Sequence, residues 1–478
     1  MLIKNQIIKM NPIIKKVRFA ATVLTTLSLT MSCGDRKNAN IPTLWDESKQ
    51  ELTVIRHGIP AYDSTNIVYR RDAKALMNIE LQTPVVVAMA SKPEGWGYYQ
   101  FPGIYRSADG LLVATWRLHP DTVSTYGKEV IGFMLSSDNG KTWYSSEQPR
   151  PFGDPYDLLI PGSGDRIGLR LPLPFDVKEL QLPHPVATNV KGSTDSLYSY
   201  YRVSELPASL QGIYLNRWDR NGAWSEIHAG VEDPQLLRYV QHVPYLQENL
   251  IPVLWVGDMK LLPDNSIVIG AAHPFYENEN GGVDPSGVSF YRSTDDGMNW
   301  KIRGKIPYRS DLTVDPNGNK RLTFGFTEPA FEILSDGTFL CVMRTTDGYG
   351  ISPMYFSRSA DQGATWTPPK AFTPSGVRPR LLQLDNGVLV LASGRPGVQI
   401  RFSLDEKGEK WTDPFEMLPP FAEEGWDVWN GAASCSYTGL LATGHDSFLV
   451  IYSDFKHLNQ NNEERKAIKV REIKVTKR

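Results

Sequence analysis

Ser136-Ser137-Asp138-Asn139-Gly140-Lys141-Thr142-Trp143 reads S-x-D-x-G-x-x-W and directly follows the strand-like apolar run 130–135. In such an octet the carboxylate accepts hydrogen bonds from turn amides. The glycine supplies a positive φ, and the tryptophan packs beneath the turn. The pattern returns at residues 293–300 and 359–366. A fourth copy runs from Ser403 and Asp405 through Gly408 to Trp411 with one extra residue, and residues 219–224 form a degenerate fifth. Three clean copies mark a repeated hairpin. These residues hold turns and do no chemistry.

A second repeat interleaves with the first. Asp109-Gly110, Asp264-Asn265, Asp336-Gly337, Asn386-Gly387 and His445-Asp446 each stand just ahead of an apolar run, as in Phe339-Leu340-Cys341-Val342-Met343. Each reads as a β-turn feeding a buried strand. The two turn types alternate, as two hairpins per four-stranded blade require. Box tryptophans fall 81, 76, 66 and 45 residues apart. A blade takes about 50 residues, so insertions are expected near 150–250. The last stretch, 467–475, alternates at period 2 and reads as a closing strand set against the N-terminal part. The expected fold is all-β, one six-bladed β-propeller over residues 45–478.

The N-terminus reads as an address. Lys4, Lys9, Lys15, Lys16 and Arg18 precede an apolar run at 19–30, then Met31-Ser32-Cys33 and a polar stretch. That run is too short to span a bilayer stably, and the order is that of a signal segment. The ending is similar to a bacterial lipobox. This implies a signal peptide over 1–33, a lipid on Cys33, a linker over 34–44, and an exported, membrane-anchored chain at the periplasm or cell surface. Removing residues 1–32 leaves 46 basic against 53 acidic residues, a net charge of −7. No basic stretch interleaves with aromatics, which argues against nucleic acid as a partner. Cys341 and Cys435 stand as one disulfide or two buried thiols. No Cys/His cluster has zinc-ligand spacing, so neither metal nor cofactor is expected.

The octet resembles the Asp-box, or BNR repeat, and the chain over most of 95–455 resembles the sialidase superfamily. Sialidases open their first blade with Y-R-I-P before a D-G turn; here Tyr99-Gln100-Phe101-Pro102 precedes Asp109-Gly110. Gln100 thus stands where the first arginine of the family's triad is expected. Glu328-Pro329, followed by an apolar strand ending in Arg344, matches the second region. Arg395, in Gly394-Arg395-Pro396, resembles the third arginine, with Arg378 or Arg380 as alternative sources of charge. Ser436-Tyr437-Thr438 resembles the site of the nucleophilic tyrosine. Asp121 is the positional candidate for the acid/base, with Glu129 in reserve.

The resemblance implies an exo-acting glycoside hydrolase that removes a terminal, acidic sugar from glycans with retention. Arginines suit a carboxylate because they are planar, permanently charged forks. A neutral tyrosine can approach an anionic sugar where a carboxylate nucleophile is repelled. A neighbouring glutamate takes the phenol proton, and an aspartate protonates the leaving oxygen and then activates water. Replacing a charge-assisted bond by the neutral one of Gln100 costs about 1–2 kcal/mol. The alternatives are a non-catalytic carbohydrate-binding propeller, and a glycosidase or lyase for a different terminal sugar. His57, His119 and His273 read as structural; Trp96, Tyr98 and Trp426 read as aromatics able to stack on sugar rings.

Overall fold

The S-x-D turns are alike down to single hydrogen bonds in the computed structural model. In the first, Ser136 Oγ donates to Asp138 Oδ1 at 2.8 Å and accepts from the Gly140 amide at 2.8 Å. Asp138 accepts from the Thr142 amide at 2.9 Å, and Trp143 Nε1 donates to the Gly140 carbonyl at 3.0 Å. The same serine-to-aspartate and tryptophan-to-glycine bonds recur around Asp295, Asp361 and Asp405. In the three eight-residue copies the glycine and the residue before it take positive φ, for example Asn139 at 59° and Gly140 at 88°; in the fourth the pair is Glu406 at 56° and Gly408 at 63°, with the extra residue between them. Serine is therefore as much a part of the staple as aspartate. The degenerate copy differs: Asp219 still accepts from the Asn221 and Ala223 amides, but Trp224 stays 53% exposed instead of packing beneath the turn.

The structure describes residues 52–53 and 66–477 except 72–73, 123–124, 126–127, 129, 171–174, 192–196, 243–249, 252–254, 315–317, 321–323, 347–351, 374, 396, 404 and 419–433. The expected signal segment with Cys33, the expected 34–44 linker, His57, Glu129 and Trp426 lie outside the described residues.

The chain is all-β, with short 3-10 turns. Its sheets follow one another along the sequence as antiparallel meanders. Tyr98–Arg106, Leu112–Leu118 and Ile131–Ser136 form a first sheet. Gly325–Ile333, Phe339–Thr346, Met354–Ser359 and Lys370–Thr373 form a four-stranded sheet, as do Val377–Gln383, Leu389–Gly394, Val398–Phe402 and Phe415–Leu418. Between these lies an eight-stranded sheet made of two meanders. They are joined where Trp224–Glu232 pairs parallel with Asn299–Ile306. The expected insertion supplies two small additional sheets, one of them Ala187–Lys191, Leu197–Arg202 and Leu237–His242. The last strand, Glu464–Lys477, pairs with Ser447–Leu458, Val85–Met89 and Lys74–Leu81, joining the two ends of the described chain.

Successive sheets share cores. Phe290, Phe331, Phe339 and Tyr355 fill one; Leu340, Phe356, Leu381 and Trp411 fill the next; Val390, Ile400, Phe448 and Ile473 fill a third. Ile104, Leu112 and Trp116 of the first sheet pack with Leu449, Ile451 and Ile468 of the last. Interdigitated inner faces of this kind are what sheet-on-sheet packing requires. Cys341 and Cys435 are both buried free thiols, so of the two readings the structure gives the unpaired one.

Candidate active site

Three first strands share one local device. Phe101-Pro102, Glu328-Pro329 and Arg378-Pro379 each interrupt the ladder with a register shift. The residue before each proline has a left-handed φ, 51°, 49° and 44° respectively. Bulges re-aim side chains, and non-glycine residues in this region cost about 1–3 kcal/mol each. All three side chains line a single cavity of about 720 Å³. Gly257 and Gly394 let neighbouring strands come close. A Cβ on Gly257 would meet the Pro329 carbonyl at 2.5 Å, and one on Gly394 would meet Ser436 Cβ at 2.0 Å.

The Glu328 carboxylate is the hub. Arg344 Nη1 donates to its Oε1 at 3.2 Å, and the Tyr437 hydroxyl donates to the same oxygen. The Arg378 amide donates to Oε2 at 2.8 Å. Burial alone would raise the Glu328 pKa. The Arg344 and Arg378 charges and the Tyr437 hydrogen bond outweigh it and hold the group down at about 2. Tyr437 is raised above the ordinary phenol range, by burial first and by the Glu328 charge second, against Arg344, Arg378 and Arg395. The resting pair is thus a carboxylate and a neutral phenol. The Arg378 guanidinium carbon lies 5.5 Å from the Tyr437 ring centre, and Phe101 meets that ring edge-on at 5.0 Å.

The sequence candidates divide. Glu328, Arg344, Tyr437 and Asp121 all line the cavity. Asp121 accepts from Arg117 Nη1 at 2.6 Å and from Trp96 Nε1 at 3.1 Å. Arg395 is 8% exposed and lies outside the lining, yet its charge acts on Tyr437 and Arg344. Its φ of 53° and an amide bond to the Gly397 carbonyl at 3.2 Å fix the corner. Gln100 does not enter the cavity. It is fully buried, and its Oε1 accepts from the Gly97 amide at 3.0 Å. The bulge turns Phe101 inward at the place where the sequence motif suggests Gln100.

Sequence reasoning undervalued four residues. His273, read as structural, lines the cavity, and burial lowers its pKa to about 4, so it is neutral at pH 7. Arg378 and Arg380 line it too, as does Tyr156 at a φ of 71°. The residue-proline pairs in first strands were the available signal for Phe101, Glu328 and Arg378 together. Tyr156 sits in an irregular loop and had none.

No family model matches the chain, and no curated protein matches it. Among solved structures, a protein of unknown function from Dyadobacter fermentans is similar over 83% of this chain and 99% of its own, at 17% identity and a TM-score of 0.51. The NanB sialidase of Streptococcus pneumoniae aligns over 82% of this chain and 70% of its own, at 13% identity and a TM-score of 0.42. An α-L-arabinanase of Penicillium chrysogenum aligns over 82% and 98%, at 16% identity and a TM-score of 0.41. The Dyadobacter likeness is one of fold.

Proposed function

We propose that the chain is a retaining exo-glycoside hydrolase of sialidase type, built as a six-bladed β-propeller and acting on a terminal acidic sugar of a glycan. The observation that carries this reading is the Tyr437 hydroxyl donating to Glu328 between arginines. The shared cores between successive sheets, and between first and last, support the propeller. Export and anchoring through a lipid on Cys33 complete the reading, on the sequence pattern of residues 1–33.

In the first step the Tyr437 oxygen attacks the anomeric carbon while its proton passes to Glu328. The bond from that carbon to the leaving oxygen breaks, and Asp121 delivers a proton to that oxygen. Asp121 must therefore gain a proton and loosen from Arg117 when substrate enters. In the second step Asp121 takes a proton from water, the water oxygen attacks the same carbon, and Tyr437 leaves with a proton returned from Glu328. Two inversions give retention. Arg344 and Arg378 receive the sugar carboxylate. Once an anion screens them, they depress Glu328 less, so Glu328 becomes a better proton acceptor when substrate is bound.

The test is hydrolysis of aryl glycosides of sialic acid, uronic acids and neutral sugars by purified protein, with the first-formed anomer followed by proton NMR. Turnover of an acidic glycoside with retention is expected. Turnover of neutral glycosides alone, inversion, or no turnover would overturn the reading.

A further inference from the structure

Arg380 stands apart from the Glu328–Tyr437 group. It lies two residues beyond Arg378 in Val377–Gln383, is 3% exposed, and lines the same cavity. Its guanidinium carbon sits 3.4 Å from the centre of the Tyr156 ring, and its Nη1 donates to the Gly257 carbonyl at 3.3 Å. Its Nε has no hydrogen-bond partner among the described residues. Tyr156 is itself fixed, its hydroxyl donating to the Thr438 carbonyl at 3.1 Å.

Counterions are short here. Glu328 offsets Arg344, Asp121 offsets Arg117, and Glu226 offsets Arg170. Arg378 and Arg380 are lining arginines that form no ion pair among the described residues. Asp258 is the acidic group acting on Arg380 from a distance; it forms no ion pair with Arg380 among the described residues, and its two oxygens accept from the Met259 and Phe331 amides. A buried cation without a paired anion is strongly unfavourable. A sugar with a single carboxylate, received beside Tyr437, satisfies Arg378 and leaves Arg380 unanswered.

We propose that Arg380, held over Tyr156, forms a second anion-binding subsite, and that the substrate is a glycan with two anionic groups. One is the carboxylate of the terminal sugar. The other is a carboxylate or sulfate ester on the same or the adjoining residue. This rests on the glycosidase reading given above.

The experiment compares KM for three aryl substrates with wild-type protein and Arg380→Gln. They are an acidic monosaccharide glycoside, the same glycoside bearing a sulfate ester, and a disaccharide of two carboxylated sugars. In wild type the second anion lowers KM at least tenfold, and whichever of sulfate and carboxylate does so identifies the group. Arg380→Gln removes that gain, and Arg380→Lys keeps part of it. Thermal melts establish that the variants fold. If Arg380→Gln does not fold, the wild-type gain must still appear and shrink with added salt. Equal KM values in wild type, or a gain that survives Arg380→Gln, overturn the second subsite while leaving the glycosidase reading intact. Failure to turn over any acidic glycoside overturns both.

Discussion

Glu328 gathers burial, two arginine charges and a phenol hydrogen bond onto one carboxylate, and the sum favours its ionised form down to about pH 2. Because the folded pKa lies below that of an unfolded glutamate, the stabilisation is complete above about pH 4.5 and is lost as pH falls toward 2. Urea midpoints of wild type and Glu328→Gln should therefore differ most at neutral pH and converge as pH drops from 5 to 2. A gap independent of pH would contradict the account. Gln100 gives a second expectation at this scale. An arginine placed there would be an unpaired buried cation, so Gln100→Arg should destabilise by about 3–5 kcal/mol. Tighter binding of a sialic-acid analogue by that variant, without loss of stability, would show that position 100 reaches the cavity. Glu328, Arg344 and Tyr437 were legible because each sits in a recognisable strand context. Phe101 was not, and Arg378 stood only as an alternative source of charge, because a bulge with left-handed φ decides which side chain faces inward, and period-2 reasoning assumes an unbroken ladder.

At the scale of the element, turns and corners do different work. The S-x-D turns were readable almost entirely, since their hydrogen bonds are local in sequence. What the pattern undersold was serine: Ser293 Oγ donates to Asp295 and accepts from the Gly297 amide at 3.0 Å. Ser293→Ala should cost about 1–3 kcal/mol through the unpaired amide. Trp300→Ala, which empties a fully buried site, should cost about 3–5 kcal/mol. Neither residue lines the cavity, so kcat/KM of the folded fraction should stay near wild type; selective loss of turnover would contradict this. The opposite profile belongs to Gly394→Ala. Its Cβ would collide with Ser436, next to Tyr437. Turnover should fall at least tenfold, more than stability suffers, as single-turnover rates on folded protein would show.

The whole molecule depends on its ends. Glu464–Lys477 pairs with strands from both ends of the described chain, and Arg471, buried at 1% exposure, donates from Nε to the Gln82 carbonyl at 2.6 Å. Truncation before Glu464 should abolish a cooperative thermal transition, and a native-like melt of the shortened chain would contradict that role. The closing strand was legible from its alternation, and so was its place against the N-terminal part; which strands it pairs with, and in what register, were not, because pairing across the length of the chain leaves no local signal. The cavity likewise exists only once separate sheets bring their first strands together. The proposed function turns on Tyr437 as the nucleophile and Glu328 as the acceptor of its proton. The most direct measurement is peptide mass mapping after exposure to an acidic glycosyl fluoride bearing a second fluorine beside the anomeric carbon, which slows release of the glycosyl-enzyme. The account predicts one sugar on the peptide containing Tyr437, and none in Tyr437→Phe. A sugar attached to Glu328 or Asp121, or turnover retained by Tyr437→Phe, would contradict it.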